Sequence, residues 1–399
     1  MDTQDGTGRA ERPYDIVLFG ATGFVGTLTA RYLAAHAPEG CRWAIAGRSL
    51  PKLERLREEL AAAHPHCADL PLIEARADDA PALRRLAASA AVVATTVGPY
   101  MWYGEPLVAA CAESGTDCLD LTGEPEFVDL MYVRHDARAR ETGARLVHSC
   151  GFDCVPADLG AYFTVRELPE GVPLTVDGFV SSNGTFSGGT FASALLAMSR
   201  FAQTARAARQ RRLHEPRLMG RRSRSPLGAP RRSRETGTWA LPLPVLDGLI
   251  VAQSGRSLPR YGPDFRYRHY ATFRSLHMAV AGALGVGALF VLAQLPAARR
   301  RLSARRAPGE GPDEQRRAKS WFTVRFVGEG GGRTVFTEVS GGDPGYDETA
   351  KIFAESALCL AFDELPPASG RLTTAAAMGD ALLERLQRAG IRFRVAARR

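Results

Sequence analysis

The chain has 399 residues, of which 45% are hydrophobic, 24% charged and 8% aromatic, with 40 Gly and 25 Pro that follow no fixed period. At roughly 100–200 residues per domain this predicts two or three domains with real cores, and it excludes a collagen-like, low-complexity or disulfide-stapled miniature chain. Lys and Arg outnumber Asp and Glu by 51 to 43, a formal net charge of +8, and the excess is concentrated: residues 206–234 hold eleven arginines and one acid, Glu215.

Residues 1–12 are charged and lack a basic-then-apolar leader, so they read as a flexible N-terminus. The seven cysteines are an odd, scattered set with no paired C-x-x-C spacing, as reduced thiols in the cytoplasm would be. From residue 13 short apolar runs alternate with helix-period segments. Strands are expected at Tyr14–Phe19, Trp43–Ala46, Leu70–Ala75, Ala91–Thr96, Cys118–Leu121 and Arg145–His148. Helices are expected between them at Phe24–Ala37, Leu50–Ala63, Pro81–Ala88, Pro106–Glu113 and Glu126–Thr142. This rhythm predicts an α/β fold class, a Rossmann-type doubly wound parallel sheet over residues 13–160.

After Gly151 the rhythm changes. Leu174–Ser182 alternates like a strand, and Gly188-Gly189-Thr190 opens a helix to about Ala208. The Arg-rich stretch with Pro216, Pro226 and Pro230 reads as a loop. Trp321–Val327 and Arg333–Ser340 read as a hairpin about Gly328–Gly332, backed by an amphipathic helix over Glu348–Phe362. Residues 161–373 are therefore expected to form a second, α+β substrate domain. Residues 374–399 should supply a helix (Thr374–Ala389) and a strand (Arg392–Val395) to either domain.

The first strand runs into Gly20-Ala21-Thr22-Gly23-Phe24-Val25-Gly26 and then a helix. A glycine turn in that position lets backbone N–H groups and a helix N-terminus approach a pyrophosphate, so these seven residues are expected to bind a dinucleotide. At the end of the second strand, where an NAD enzyme places an acid for the ribose hydroxyl, stands Gly47-Arg48-Ser49. Arg48 offers a planar cationic fork for a 2′-phosphate, and Ser49 and Lys52 can add donors, which points to NADPH. The fourth strand ends in Thr95-Thr96-Val97-Gly98-Pro99-Tyr100, so Thr96, Gly98 and Pro99 are expected beside the nicotinamide. Tyr100 and Tyr103 are the candidate proton donors, against the alternative that they only pack. Asp153 belongs either to the same edge of the sheet or to a helix N-cap.

With Gly20–Gly26, Gly47-Arg48-Ser49, Val97–Tyr100, Gly104-Glu105, Asp120–Glu124, Gly151–Gly160, Ser187–Thr190 and Thr373–Asp380 in place, the chain resembles the saccharopine-dehydrogenase-like oxidoreductases. Within them it resembles the actinobacterial trans-acting enoyl reductases of polyketide-lipid assembly. The resemblance covers nearly the whole chain. It implies an NADP-binding Rossmann domain, a C-terminal substrate domain and reduction of a double bond in a carrier-linked acyl chain. It transfers no catalytic side chain by position.

Two further stretches bear on partners. Met278–Ala298 carries no charge over 21 residues and is followed by Arg299–Arg301, Arg305 and Arg306. A bilayer span, a buried or half-buried helix and an in-plane lipid contact on an anionic membrane surface are all compatible with its length, and the span is disfavoured because the following hairpin must share a core with what precedes. The Arg-rich stretch reads as a solvated loop or as a docking site for an acidic carrier or anionic lipid. It lacks the interleaved aromatics of a nucleic-acid contact, so no nucleic acid is expected. A cytoplasmic enzyme, peripheral on the inner face of the plasma membrane, follows. A nonenzymatic NADPH-binding lipid scaffold and a C=N reductase of saccharopine type remain alternatives, and nothing in the sequence sets the oligomeric state.

Overall fold

The computed structural model describes residues 12–184, 188–304 and 312–399. Residues 1–11, Ser187, Arg305 and Arg306 lie outside the described residues. The first half of the chain supplies β1 (Tyr14–Phe19), α1 (Phe24–His36), β2 (Trp43–Gly47), α2 (Leu50–Ala63), β3 (Leu72–Glu74), α3 (Ala80–Ser89), β4 (Ala90–Thr95), α4 (Tyr100–Tyr103), α5 (Glu105–Ser114), β5 (Asp117–Asp120), α6 (Pro125–Thr142), β6 (Arg145–Val147), α7 (Val155–Arg166), β7 (Leu174–Ser182), α8 (Gly188–Ser199) and α9 (Phe201–His214). The second half supplies β8 (Arg222–Arg224), β9 (Arg231–Arg232), β10 (Trp239–Pro242), α10 (Leu246–Ser257), β11 (Asp264–Phe273), α11 (Leu276–Gln294), α12 (Pro296–Ala304), α13 (Glu314–Arg317), β12 (Phe322–Gly330), β13 (Arg333–Gly341), α14 (Asp347–Phe362), β14 (Gly370–Leu372), α15 (Thr374–Ala377), α16 (Gly379–Arg388) and β15 (Arg392–Arg398).

One compact unit runs up to Thr122, resumes over Phe127–Gly151 and takes in Thr349–Leu372. Its parallel sheet has the order β14-β6-β5-β4-β1-β2-β3. Helices cover it, which is why β1, β2 and β4 read as continuous apolar runs: Ile16, Val17, Leu18, Ala44, Ile45 and Val93 are fully buried. Proline opens several of the helices, and in α3 Asp79 adds a cap, its Oδ1 accepting from the Ala82 amide at 3.0 Å. β1 has β2 on one side and β4 on the other, so the strand order reverses between β1 and β4. In such sheets ligands bind at the carboxyl ends of the strands beside that point. The unit is thus discontinuous, whereas the sequence reading assigned residues 161–373 to one continuous second domain.

The other unit comprises Gly123–Glu126, Phe152–Glu348 and Thr373–Arg399. Its mixed sheet has the order β15-β13-β12-β7-β11-β10-β9, with β8 also paired to β11. The β12–β13 hairpin is tighter than expected: Gly331 and Gly332, with φ of 57° and 75°, are its two loop residues, a conformation that favours glycine at both. α7 lies close on this sheet, since a Cβ at Gly160 would come within 2.4 Å of the Phe326 ring. Asp158 of α7 accepts from Ser254 Oγ at 2.5 Å, Thr374 Oγ1 at 2.7 Å and the Ala375 amide at 2.9 Å, tying α7 to α10 and α15. Burial still pushes its carboxyl up to about 6, against the pull of those three donors.

Three expectations change here. The Arg-rich stretch is not a loop throughout: Arg231 and Arg224 find acids distant in sequence, Asp177 at 2.6 Å and Asp264 at 3.0 Å, while Arg211 on α9 pairs with Glu215 one helical turn on. The helix opened at Gly188 breaks at Arg200 into α8 and α9. The buried-helix alternative for the apolar stretch fails, since Ala279 and Ala293 are the only buried residues of α11. β15 joins the second sheet beside β13.

Candidate functional site

The turn between β1 and α1 is built by its glycines. Gly20 has φ of 89°, and a Cβ there would sit 2.7 Å from Thr96 Oγ1, so only glycine fits between the ends of β1 and β4. Thr96 is anchored to the turn, its hydroxyl donating to Gly20 O at 3.0 Å and its amide to Phe19 O at 2.9 Å. A Cβ at Gly26 would lie 2.2 Å from Gly20 O, so Gly26 lets α1 start directly against the turn. Gly23 differs: it is exposed, and the nearest atom to its Cβ position is Gly20 O at 3.4 Å. Ala21 is buried, while Thr22, Phe24 and Val25 stay partly accessible. α1 has no side-chain N-cap and no acid in its first turn, so the positive end of its dipole is left for an anionic ligand.

β2 ends at Gly47, and Ser49 is the N-cap residue of α2, with no side-chain cap bond. Arg48 and Lys52 are exposed and make no hydrogen bond or ion pair with the described residues. An exposed carboxylate, Glu74, stands in register with Gly47 on β3, so this edge carries one negative charge beside the two cations.

Beyond β4 the Gly98–Pro99 bond is cis and α4 follows. The two tyrosines separate here. Tyr100 is buried, donates its hydroxyl to Thr95 O at 3.1 Å and accepts from the Leu121 amide at 3.1 Å. The geometry therefore gives Tyr100 a structural role, holding the ends of β4 and β5 together, rather than that of a proton donor. Tyr100→Phe should leave NADPH binding unchanged and lower stability by about 1–3 kcal/mol, because a buried carbonyl and a part-buried amide each lose a partner; chemical denaturation reads it. Tyr103 is 47% exposed and its hydroxyl makes no hydrogen bond with the described residues.

At the ends of β5 and β6 the structure brings together a pair that sequence reasoning missed. Asp120 accepts from the Thr122 and Ser149 amides, each at 3.0 Å, and its Oδ2 lies 2.5 Å from His148 Nδ1. Both side chains are buried, and Ser149 takes φ of 64° while donating its hydroxyl to Thr122 O at 2.7 Å. The available signal was position alone: both residues fall where adjacent parallel strands end. In the second unit Asp153 is not an N-cap, because Cys154 holds that place before α7. Among the described residues no group of three or more His, Cys, Asp or Glu side chains is arranged to hold a metal ion.

Residues 16–147, which contain the turn, Arg48 and the β4 loop, match the saccharopine dehydrogenase NADP binding domain. Over its length the chain is 38% identical to a trans-acting enoyl reductase of Mycobacterium tuberculosis, covering 96% of this chain and 97% of the relative. It is 37% identical to the Mycobacterium leprae trans-acting enoyl reductase over the same shares. The chain belongs to the trans-acting enoyl reductase family.

Among solved structures it is similar to apo saccharopine dehydrogenase (L-Glu forming) from Saccharomyces cerevisiae, with a TM-score of 0.56, 13% identity, and 96% and 100% of the two chains covered. That likeness is one of fold. For this enoyl reductase family member the cofactor is NADPH. The residues present fit it: Thr22–Val25 line an accessible turn at an uncapped helix N-terminus for the pyrophosphate, and Arg48, Ser49 and Lys52 are free to meet a 2′-phosphate. Thr96 serves that site indirectly, as the residue that fixes Gly20.

Proposed function

We propose that the protein is an NADPH-dependent enoyl reductase acting in trans on a carrier-linked polyketide or lipid intermediate. The observation that carries this is the uncapped glycine turn with Arg48 at the end of β2, in a chain that matches named trans-acting enoyl reductases along nearly its whole length. Bound NADPH supplies hydride to the β-carbon of the unsaturated acyl chain. The protein's own part is to seat the pyrophosphate on α1, hold the 2′-phosphate at Arg48 and provide a proton for the α-carbon. Purified full-length protein should oxidise NADPH when given a carrier-linked enoyl thioester and leave it unoxidised without one. Binding without oxidation would favour a nonenzymatic NADPH-binding scaffold, and oxidation only with an imine would favour C=N reduction.

The reading extends to a lipid surface on the cytoplasmic side of the membrane. α11 is long and apolar enough to cross a bilayer. Yet it leaves β11 and the chain returns as β12, both strands of one sheet with β7 between them, so a single crossing would split that sheet. Its apolar side chains face out, Leu284 at 70% and Val291 at 61% exposure, and the Phe201 ring of α9 stands 6.2 Å from that of Phe290. Exposed Arg206, Arg209 and Arg212 on α9 supply the cations that anionic headgroups would meet. In fractionated cells the protein should divide between soluble and membrane pools, with alkaline carbonate releasing the membrane share, and Leu284→Glu with Val291→Glu should abolish binding to anionic vesicles. Full retention after carbonate, or vesicle binding unchanged by both substitutions, would defeat this placement.

A further inference from the structure

The second sheet has one face toward α7: Phe326 of β12 is paired with Gly178 of β7, and its ring lies close against Gly160 of that helix. Alternate side chains point the other way. On that opposite face Asp177 of β7 meets Arg268 of β11 and Arg231 of β9, each at 2.6 Å. Glu338 of β13 meets Arg325 of β12 at 2.9 Å and Arg394 of β15 at 2.7 Å. Asp264 of β11 meets Arg224 of β8 at 3.0 Å and Arg266 of its own strand at 3.6 Å.

Each acid is thus shared by two arginines, so every triad keeps one positive charge, and the three triads reach across the sheet from the edge strand β15 to β8. Exposed Arg222 and Arg392, in register with Asp264 and Ser340, add charge to the same face and make no ion pair with the described residues. Exposed Glu235 and Glu329 offset only part of it. The triad arginines are 34% to 63% exposed, yet the shared acid already orders their forks and takes up only some of the five N–H donors each one carries. A partner's carboxylates would meet donors that have little side-chain freedom left to lose. Under Arg231 the Phe179 and Tyr270 rings stack at 5.2 Å, with the guanidinium 5.6 and 5.3 Å from their centroids, an arginine and aromatic anchor of the kind that carries interface energy.

We propose that this face docks an acidic protein surface, and that the protein is the carrier bringing the acyl chain. The choice of partner rests on the enoyl reductase reading, since a substrate held on a separate protein needs a surface on which that protein can settle. The five long strands β15, β13, β12, β7 and β11 run for seven to ten residues each. At about 4.8 Å between strands they cover roughly 700 Å². That is close to the roughly 800 Å² per partner of a standard interface. A second copy of this chain fits poorly, because a two-fold pairing would bring two net-positive faces together.

The test uses full-length protein with NADPH and two substrates, an enoyl chain on an acidic phosphopantetheine carrier protein and the same chain as a free N-acetylcysteamine thioester. One variant combines Arg222→Glu, Arg266→Glu and Arg392→Glu, and a second carries Lys at the same three positions. Neither strands an acid, because Asp264 keeps Arg224. The Glu variant should bind NADPH and melt as wild type does, raise KM for the carrier-linked chain by roughly tenfold or more, and hold kcat/KM for the free thioester within about twofold. The Lys variant should recover most of the carrier KM, which a loss of fold would not allow. Salt should raise the wild-type KM for the carrier and leave that of the Glu variant nearly flat. A Glu variant with the wild-type carrier KM, or a carrier that wild type does not bind by titration calorimetry, would overturn the proposal. With carrier KM kept, loss of binding to phosphatidylglycerol vesicles in the Glu variant would assign the arginines to lipid instead, and loss of a wild-type dimer would assign them to a second copy. Wild type that binds NADPH but reduces neither substrate would sink the functional reading, and calorimetry of the carrier against both variants would still decide whether this face takes an acidic protein.

Discussion

Arg48→Asp should weaken NADPH binding by roughly 10- to 150-fold, the loss of about 1.5–3 kcal/mol expected when a charge-assisted contact to a phosphate is removed. The residue is exposed and makes no hydrogen bond or ion pair with the described residues, so the substitution should leave the thermal midpoint unchanged and act through the ligand alone. It also places a second carboxylate near Glu74, which adds repulsion toward the 2′-phosphate. NADH carries no phosphate at that position and should bind the variant at least as well as it binds wild type. Fluorescence titrations of both cofactors against both proteins read the outcome, and equal affinity of wild type for NADPH and NADH would remove Arg48 from the specificity role.

Two glycines of the same turn should behave in opposite ways when changed to valine. At Gly23 the space around a Cβ is open on the protein side, so Gly23→Val should fold with a near-normal melting curve yet lose NADPH binding, because the side chain occupies the room the pyrophosphate needs. At Gly26 a Cβ would stand 2.2 Å from the backbone oxygen of Gly20, which cannot yield without breaking the turn. Gly26→Val should therefore destabilise by more than the roughly 1–3 kcal/mol typical of overpacking and yield little soluble protein. Circular-dichroism melts and NADPH titration separate the two. Wild-type affinity in Gly23→Val would make the turn purely structural, and a normal melting curve for Gly26→Val would contradict the close approach.

The first sheet was legible because its signals are local: a buried parallel strand reads as an apolar run, and a glycine turn between strand and helix is contiguous. β14 was not, since Gly370–Leu372 contains an arginine and is a strand only by pairing with Arg145–Val147. β11 alternates Phe265, Tyr267 and His269 with Arg266 and Arg268, and it went unread because its charged positions are settled only in the fold, where Asp177, 91 residues earlier, takes up Arg268. Tyr100 and Tyr103 occupy one helical turn, where spacing cannot say which faces inward. The cofactor residues were readable as a motif. The Asp120–His148 and Asp247–His269 contacts were not, because each joins separate elements of the chain.

The return of residues 349–372 to the first unit has a consequence for how the protein is made. Emerging from the ribosome, the NADP-binding unit has β1 to β6 in hand early, but β6 stays an unpaired sheet edge until β14 arrives. The hydrogen bond between Tyr32 of α1 and Glu355 of α14, 2.8 Å long, waits for the same late segment. Nearly the entire second unit is synthesised in the interval, so the nucleotide-binding half cannot finish before the other half exists. A fragment cut after residue 160 would carry an open parallel edge, the kind of surface that templates aggregation.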